Sequence, residues 1–415
     1  MKKYLLRMEN GIFEPAENPI RAILLDRETG RYNLLNWEQA GQVKNAIDQK
    51  VNGIVSTVQP FRVQIDLTNL FQNADIINTS SDRHDILSAP ISVYMEISKK
   101  CNLNCIGCYQ DERKCVETMH IRQVKNFLNS FAKIGGIIVR LTGKEPTVHP
   151  NIVEIVRYAK SLGLKIALNT NGVTSDRKIQ QIISAGITEV VVSLDGNRDT
   201  HNHFRNANIF DRTIASVRIY AETGIDTRFN MTVSPANEKD IEFVAKLANR
   251  MGIYVSYIPI RNIGSAIEGA FLTAEDMGNI SRKISKLKKE VDVRLLTYFD
   301  IYGEDSDYYH PMFQLAPCHA RKNIFVTNTG NVYPCDHLVA LGDVFCGGNV
   351  LQNDLLEIWQ NGKGLETYRN VQISGDCSKC QHFRKNCYGG CISEYMHLTK
   401  GNTLKLERDR LCPCR

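Results

Sequence analysis

Residues 92–109 read Ser-Val-Tyr-Met-Glu-Ile-Ser-Lys-Lys-Cys-Asn-Leu-Asn-Cys-Ile-Gly-Cys-Tyr. The alternating run from Ser92 to Ile97 carries β-branched residues and predicts a strand. Cys101, Cys105 and Cys108 therefore lie on a loop at the carboxyl end of that strand. Three thiolates on one short loop can hold three irons of a [4Fe–4S] cluster. The fourth iron then has no protein ligand, and metal sites that do chemistry keep such an open position.

The CxxxCxxC spacing, followed by the aromatic Tyr109, resembles the cluster motif of radical S-adenosylmethionine (SAM) enzymes. The resemblance implies that the open iron chelates the amino and carboxylate groups of SAM. It also implies that one electron from the cluster cleaves the sulfonium, giving a 5′-deoxyadenosyl radical that abstracts a hydrogen atom. The alternative is a structural zinc site, but such sites usually pair cysteines as CxxC and close with four ligands.

Bulk properties restrict the classes of function. The 415 residues suffice for two or three domains. The net charge of +6 includes no Lys/Arg block, so nucleic acid is not indicated and an acidic peptide suits equally well. We expect a cytoplasmic protein without a membrane partner, because neither a signal peptide nor a membrane-length apolar run is present. The 13 cysteines then indicate metal binding or catalysis rather than disulfides.

The cysteines are unevenly placed, which predicts the domain organisation. None lies before Cys101, and none lies between Cys115 and Cys318. We therefore expect a cysteine-free front domain at 1–88, a barrel carrying the cluster loop at 89–300, and a metal-rich domain at 301–415.

The front segment contains a predicted hairpin. Ala22–Asp26 and Tyr32–Leu35 are predicted strands, a helix with Val43, Ile47 and Val51 on one face follows, and 73–88 is a predicted linker. Residues 25–36 resemble the opening hairpin of the winged-helix-like domain that recognises peptides in ribosomal-peptide (RiPP) maturases. That resemblance implies a leader peptide added to the sheet edge. The alternative is a hairpin that only packs on the barrel.

After the cluster loop, predicted strands and helices alternate, which indicates a parallel sheet with right-handed crossovers. Counting from Ser92 there are six strands, as in the partial (β/α)6 TIM-like barrel of radical SAM enzymes, where chemistry sits at the strands' carboxyl ends. The strands are 92–97, 137–142, 164–170, 189–194, 227–233 and 254–259, and the helices are 151–162, 176–185, 211–223 and 241–251.

Several strand ends resemble the SAM pocket of this family. Gly143-Lys144-Glu145-Pro146 resembles its Gly-Gly-Glu-Pro motif, whose backbone contacts the methionine ammonium, although Lys144 replaces the second glycine. The resemblance further implies ribose contacts from Ser193 and Asp195, pairing of Arg205 with the methionine carboxylate, and closure of Ile258 over the adenine. An ordinary surface arginine is the alternative for Arg205. The implied cofactor-binding residues are Tyr109, Gly143, Lys144, Glu145, Asn171, Ser193, Asp195, Arg205 and Ile258.

The C-terminal cysteines resemble the SPASM domain, which binds auxiliary clusters. The resemblance implies three [4Fe–4S] clusters in all. Cys318, Cys335 and Cys391 serve the first auxiliary cluster, with either an open iron or Cys346 as the fourth ligand. Cys377, Cys380 and Cys387 serve the second, with Cys412 or Cys414. The alternative is a double zinc ribbon, because CxxC is also a zinc signature.

Asp336 directly follows Cys335 in a Pro-Cys-Asp run that resembles anaerobic sulfatase-maturing enzymes. The resemblance implies a catalytic general base, and a carboxylate beside an anionic cluster is expected to have a raised pKa. A turn-capping aspartate is the alternative.

The sequence thus predicts a radical SAM maturase that cross-links a ribosomally made precursor peptide through a thioether or carbon–carbon bond. Its expected partners are the leader-bearing peptide and a low-potential donor, flavodoxin or ferredoxin. Alternative activities are maturation of a sulfatase-type protein, or peptide epimerisation with Cys346 or Cys115 as the thiol donor. A zinc-stabilised binding protein is the non-enzymatic alternative. Measuring the iron and sulfide content of the protein distinguishes it from the enzymes.

Overall fold

The computed structural model describes residues 4–13, 20–26, 32–49, 54–56, 64–66, 74–79, 86–108, 110, 117–261, 263, 271–297, 320–380, 390–401, 405–406 and 412. Within these ranges the chain forms a four-stranded sheet near its N-terminus and a ten-stranded sheet. Two small two-stranded sheets complete the structure.

The front sheet has four strands, in the spatial order Tyr32–Leu35, Ile20–Asp26, Tyr4–Phe13 and Ala74–Thr79. The predicted hairpin is confirmed, and the predicted helix is confirmed as far as Gln49, whereas Val51 lies outside the described residues. The predicted linker is wrong at Ala74–Thr79, which pairs parallel to Tyr4–Phe13 and so satisfies its backbone groups. The elements are β1 (Tyr4–Phe13), β2 (Ile20–Asp26), β3 (Tyr32–Leu35), α1 (Trp37–Gln49), the hairpin β4 (Ile54–Ser56) and β5 (Gln64–Asp66), and β6 (Ala74–Thr79).

Strand β1 separates two cores because successive side chains point to opposite faces of a sheet. Leu6 packs with Leu24, Leu35 and Val43 in a small core under α1. Leu5, on the other face, belongs to the large core of the barrel. The front sheet is therefore packed between its own helix and the barrel.

A buried ion pair joins the front sheet to the barrel. Arg7 and Glu9 lie on the barrel-facing side of β1, 2.6 Å apart, with side chains 0% and 2% exposed. Arg7 donates to the carbonyl oxygens of Ala89 (2.5 Å) and Gly135 (3.0 Å). Glu9 Oε2 accepts from the backbone nitrogen and hydroxyl of Ser88, at 2.9 and 2.6 Å. These contacts fix the orientation of the front sheet on the barrel.

The barrel contains the six predicted parallel strands in sequential order. They are β7 (Ser92–Glu96), β8 (Ile138–Thr142), β9 (Lys165–Thr170), β10 (Glu189–Ser193), β11 (Asp226–Val233) and β12 (Tyr254–Pro259). The helices are α2 (Ile121–Lys133), α3 (Ile152–Ser161), α4 (Asp176–Ala185), α5 (Arg198–Arg205), α6 (Phe210–Glu222), α7 (Ile241–Met251) and α8 (Ala274–Leu287). Helices α2, α5 and α8 were not predicted from the sequence.

The sheet extends beyond six strands at both edges. At one edge β13 (Leu295–Thr297) continues the parallel order next to β12. At the other, β14 (Asn323–Val326) pairs parallel to β7, followed by the antiparallel β15 (Asn331–Tyr333) and β16 (Gly348–Asn349). The C-terminal region is thus joined to the sheet beside the strand that carries the cluster loop.

The remaining C-terminal elements are short. Buried Trp359 anchors them, because its Nε1 donates to the carbonyl oxygen of Leu87 at 2.7 Å. The elements are a 3-10 segment (Asp336–Phe345), α9 (Leu355–Asn361), α10 (Lys363–Arg369), β17 (Gln372–Ile373), α11 (Gly375–Lys379), α12 (Ile392–Leu398) and β18 (Lys405–Leu406). In the described part of the chain, no helix is both long and apolar enough to cross a membrane.

We predict that Arg7→Met destabilises the protein by about 3–5 kcal/mol, because it leaves the Glu9 carboxylate buried and unpaired. The double variant Arg7→Met/Glu9→Leu should recover much of this loss. Urea unfolding followed by circular dichroism measures both. The control is Lys44→Met at the Lys44–Asp48 pair, whose side chains are 42% and 45% exposed and whose loss should cost under about 1 kcal/mol. Equal losses of stability in Arg7→Met and Lys44→Met would contradict the conclusion that the buried Arg7–Glu9 pair joins the front sheet to the barrel.

Candidate active site

The three-cysteine loop follows β7 at the carboxyl edge of the sheet. Cys101 is exposed, and Cys105 and Cys108 are half-buried. The thiols are close enough to influence one another. Although Cys101 keeps contact with solvent, partial desolvation by the surrounding loop raises its pKa; the hydrogen bond from the Leu103 backbone opposes this shift, and Glu145, Cys105 and Cys108 add to it. The nine described cysteines lie outside disulfides, so this loop offers three sulfur ligands at the strand end.

Glu145 joins the cluster loop to the next two strand ends. Its side chain is completely buried, with Oε1 accepting from Thr147 and Thr170 and Oε2 from the backbone nitrogen of Asn171 (2.7 Å). Its own backbone nitrogen donates to the carbonyl oxygen of Lys100, next to Cys101, at 3.2 Å. Burial raises the pKa of Glu145, and the hydrogen bonds oppose that shift. Glu145 therefore orders the pocket through protein contacts, and its contact with SAM stays a prediction.

Two asparagines hold the cluster loop against the loop after β9. Asn171 Nδ2 donates to Asn102 Oδ1 at 2.8 Å. Asn102 Nδ2 donates to the carbonyl oxygen of Val173 at 2.7 Å. Asn171, a predicted cofactor residue, thus contacts the residue between the first two cluster cysteines. Asn102 was missed from sequence because its position inside the motif looked like ordinary turn chemistry.

An ion pair between Arg205 and Asp195, next to the carboxyl end of β10, contacts the cluster loop. Arg205 donates to both carboxylate oxygens of Asp195, at 2.7 and 3.1 Å, and to Cys105 Sγ at 3.8 Å. His201 Nδ1 lies 3.2 Å from Asp195 Oδ2. Burial alone would raise the pKa of Asp195, but Arg205 and His201 lower it to about 2. Because Asp195 and Arg205 bind each other here, their ribose and methionine contacts stay predictions.

A side chain at position 143 would clash with neighbouring protein atoms. The φ of Gly143 is +111°, and an added Cβ would lie 2.8 Å from Glu96 Cγ and 3.0 Å from the carbonyl oxygen of Ser98. Only glycine adopts such backbone readily, and it lets backbone approach a ligand. Lys144 follows it with a half-buried side chain.

Polar side chains continue along the strands' inner face. The register aligns Ser193 with Asn230 and Asn230 with Ser256. Asn169 lies on the face of β9 opposite the core residues Ile166 and Leu168, and its buried Oδ1 has no hydrogen-bond partner among the described residues. An orphaned acceptor beside a row of hydroxyl and amide groups fits a ligand rich in donors. Half-buried Ile258 lies further along, on β12.

Charged side chains occupy the opposite end of the barrel. Glu189, at the start of β10, pairs with Arg140 at 2.9 Å and Arg228 at 2.7 Å. Its burial would raise its pKa, but the two guanidinium groups hold that pKa well below the usual range. This ionic network occupies the amino-terminal strand ends, away from the cluster loop.

The C-terminal cysteines are only partly described. Cys335 is buried, with its Sγ 3.2 Å from Asp336 Oδ1. Cys377 lies within α11, Cys380 directly follows that helix, and Cys391 precedes α12. Half-buried Cys346 and Cys412 are the other two described. The predicted residues Tyr109, Cys318, Cys387 and Cys414, and also Cys115, lie outside the described residues.

Two family models match the chain. The radical SAM superfamily matches residues 95–248, and SPASM, an iron–sulfur cluster-binding domain, matches residues 318–382. The chain is 27% identical over 324 residues to the AdoMet-dependent heme synthase of Methanosarcina barkeri, covering 73% of this chain and 91% of that protein. It is 26% identical over 321 residues to the mycofactocin maturase MftC of Mycobacterium tuberculosis, covering 74% of this chain and 79% of that protein.

Solved structures share the fold. Streptococcus suis SuiB bound to the precursor peptide SuiA is similar with a TM-score of 0.75 at 17% identity, covering 99% of both chains. The structure of anSMEcpe with bound AdoMet and the Cp18Cys peptide is similar with a TM-score of 0.62 at 20% identity, covering 78% of this chain and 94% of that one.

The chain is a radical SAM enzyme with a C-terminal SPASM domain. Its cofactors are SAM, a [4Fe–4S] cluster of the radical SAM domain and auxiliary iron–sulfur clusters of the SPASM domain. The described residues fit these groups, because three thiols follow β7, a glycine with positive φ follows β8, and the orphaned amide oxygen of Asn169 lies near the end of the neighbouring strand β9. The predicted fold class, the enzymatic activity and the cofactor classes are thus confirmed.

We predict that Gly143→Ala weakens SAM binding by about tenfold or more, because the new methyl group displaces Glu96 or the Ser98 carbonyl. The control is Gly224→Ala, where φ is +73° but no described atom lies within 4 Å of the new Cβ. That variant should lose only about 1–2 kcal/mol of stability. Equilibrium dialysis of SAM with anaerobically reconstituted protein measures the difference. If folded Gly143→Ala bound SAM with unchanged affinity, the predicted role of Gly143 in the SAM site would be refuted.

We also predict that Asn102→Ala loosens the cluster loop, whereas Asn104→Ala at an exposed position of the same loop does not. Asn102 makes two hydrogen bonds, each worth about 1 kcal/mol net. During incubation with an iron chelator, Asn102→Ala should therefore lose its 5′-deoxyadenosine-forming activity about tenfold faster than the wild type does. Equal decay in both variants would show that the two hydrogen bonds do not retain the cluster.

Proposed function

We propose that this chain is a maturase of a ribosomally made precursor peptide and forms an intramolecular thioether or carbon–carbon cross-link. The observation that carries the proposal is the front sheet, fixed to the barrel by the buried Arg7–Glu9 pair. The similarity to SuiB with its precursor peptide extends over 99% of this chain and so includes that sheet. The mycofactocin maturase MftC supports the same class of substrate.

The leader peptide would add to the front sheet along β3. In the described structure β3 is an edge strand that pairs with β2. Its outer backbone groups can therefore receive a further strand, the β-augmentation mode of peptide recognition. The peptide's reacting part would then extend to the strand ends around Cys101–Cys108.

The residues of this chain would bind and position SAM rather than react with the peptide. Gly143 and Lys144 offer backbone to the methionine end, and Ser193 faces the ribose. Arg205 can move from Asp195 to the methionine carboxylate, because guanidinium binds either carboxylate in the same forked geometry. When bound, the cluster and SAM supply the one-electron chemistry that removes a hydrogen atom from the peptide. Each cross-link removes two hydrogen atoms, so a second electron must leave, and the auxiliary clusters suit that task.

The remaining partner and location are proposed on charge and redox grounds. Flavodoxin or ferredoxin would supply the low-potential electron, and the chain's net charge of +6 suits an acidic donor. We place the protein in the cytoplasm, because most of its 13 cysteines are proposed metal ligands and a reducing compartment keeps their thiols from forming disulfides.

A second candidate is modification of a sulfatase-type protein, with Asp336 as the general base. The thiol of Cys335 donates to Asp336 Oδ1 at 3.2 Å. Binding of that sulfur to iron as a thiolate removes the donor and leaves the carboxylate able to accept a proton. The likeness to anSMEcpe favours this candidate, although it covers 78% of this chain rather than all of it.

The deciding experiment gives the reconstituted enzyme SAM, dithionite and synthetic peptides encoded by short reading frames beside its gene. We expect a peptide product lighter by two hydrogen atoms in mass spectrometry, with 5′-deoxyadenosine formed in step. Deleting residues 1–79 should abolish modification of the full peptide while leaving uncoupled 5′-deoxyadenosine formation. The Cys101→Ala/Cys105→Ala/Cys108→Ala variant should lose both.

Other products would redirect the proposal. A sulfatase-derived cysteine peptide oxidised in an Asp336-dependent manner would support the second candidate. A metalloporphyrin that stimulates 5′-deoxyadenosine formation when the peptides do not would place the chain with the heme synthases. Zinc without acid-labile sulfide would exclude both peptide candidates.

A further inference from the structure

Several metal-binding side chains meet where the C-terminal region passes the mouth of the barrel. Buried Cys335 caps the 3-10 segment, and its Sγ, a carboxylate oxygen of Asp336 and a ring nitrogen of His337 lie within 4.8 Å of one another. The His337 side chain also forms a hydrogen bond with Cys391. His337 therefore lies between two cysteines that the SPASM resemblance assigns to the first auxiliary cluster.

Helix α12 holds His337 in place from a second direction. The ring nitrogen Nε2 of His397 lies 2.5 Å from the carbonyl oxygen of His337. Glu394, on the same helix, pairs with Arg261 at 2.9 Å, and this pair ties α12 to the end of β12. His337 is thus fixed beside the strand ends, where an auxiliary cluster can exchange electrons with the substrate.

The number of cysteines leaves one ligand position of this cluster unassigned. Cys318, Cys335 and Cys391 provide three thiolates for four irons. Cys346, the cysteine considered for the fourth, lies at the far end of the 3-10 segment. Its Sγ is directed to the carbonyl oxygen of Gly348 at 3.7 Å, and it hydrogen-bonds to Tyr333. Among the described residues, His337 is better placed than Cys346.

We propose that His337 is the fourth protein ligand of the first auxiliary cluster and binds iron through a ring nitrogen. Imidazole replaces cysteine on iron in some iron–sulfur centres and raises their potential. Asp336, whose Oδ1 lies 4.0 Å from His337 Nε2, can orient the ring as a carboxylate partner. A cluster closed in this way does not bind the substrate through iron and serves as an electron acceptor.

This assignment rests on the auxiliary cluster and not on the identity of the substrate. The test uses full-length protein with the Cys101→Ala/Cys105→Ala/Cys108→Ala background, so that only auxiliary clusters give a signal. The protein is labelled with ¹⁵N-histidine, reconstituted anaerobically, reduced and examined by pulsed electron paramagnetic resonance. We expect strong coupling to one histidine nitrogen, lost in His337→Ala and kept in His203→Ala, a change at an exposed histidine on α5.

The conservative variant His337→Cys provides a second readout that does not depend on activity. It should keep the iron and sulfide content, lose the nitrogen coupling and lower the midpoint potential of one auxiliary cluster, because a thiolate adds negative charge. Full cluster content without histidine coupling would overturn the ligand assignment and leave the proposed function standing. A signal that Asp336→Asn alters and His337→Ala does not would overturn it in favour of the carboxylate. Absence of acid-labile sulfide would instead overturn the proposed function.

Discussion

The active site depends on one buried carboxylate. The cluster loop has no helix or strand of its own to hold its three thiols. Glu145 accepts hydrogen bonds from Thr147, Thr170 and Asn171, and its backbone nitrogen holds the residue before Cys101. Three successive strand ends are thereby fixed relative to one another at the edge where the ligands must converge. Removing a buried acceptor of this kind would leave several donors unsatisfied, which costs far more than one hydrogen bond contributes.

The same principle joins the three regions of the chain. Arg7 and Glu9 are buried between the front sheet and the barrel, and Trp359 donates to Leu87 in the segment that connects them. The C-terminal strand β14 pairs directly with β7. The front sheet, the barrel and the C-terminal region are therefore joined to one another by buried contacts, and Leu5 of β1 belongs to the core of the barrel. This arrangement suits the proposed reaction, in which a peptide held at the front sheet reacts at the strand ends of the barrel.

Much of the barrel could be predicted from sequence. Strands such as β9 and β12 and helices such as α4 and α7 carry strong local periodicity, and the structure has them within a residue or two of the predicted bounds. β1 was missed for a physical reason: Arg7 and Glu9 break its apolar alternation, and only their buried pairing makes them compatible with a core position. β14 is short, and its partner β7 lies far away in sequence, so no local signal indicated that it completes the sheet.

The sequence by itself determined the chemistry, because the spacing of Cys101, Cys105 and Cys108 is local and brings three thiols onto one loop in any fold that forms it. It also determined the parallel sheet, because alternating strand and helix periods leave few other solutions. Only the tertiary structure decided which polar residues act together. Asn102 meets Asn171, Arg205 reaches both Asp195 and Cys105, and His337 meets Cys391. Apart from the Arg205–Asp195 pair, these contacts join positions far apart in the chain, and they form only when the packing of the whole chain brings those positions together.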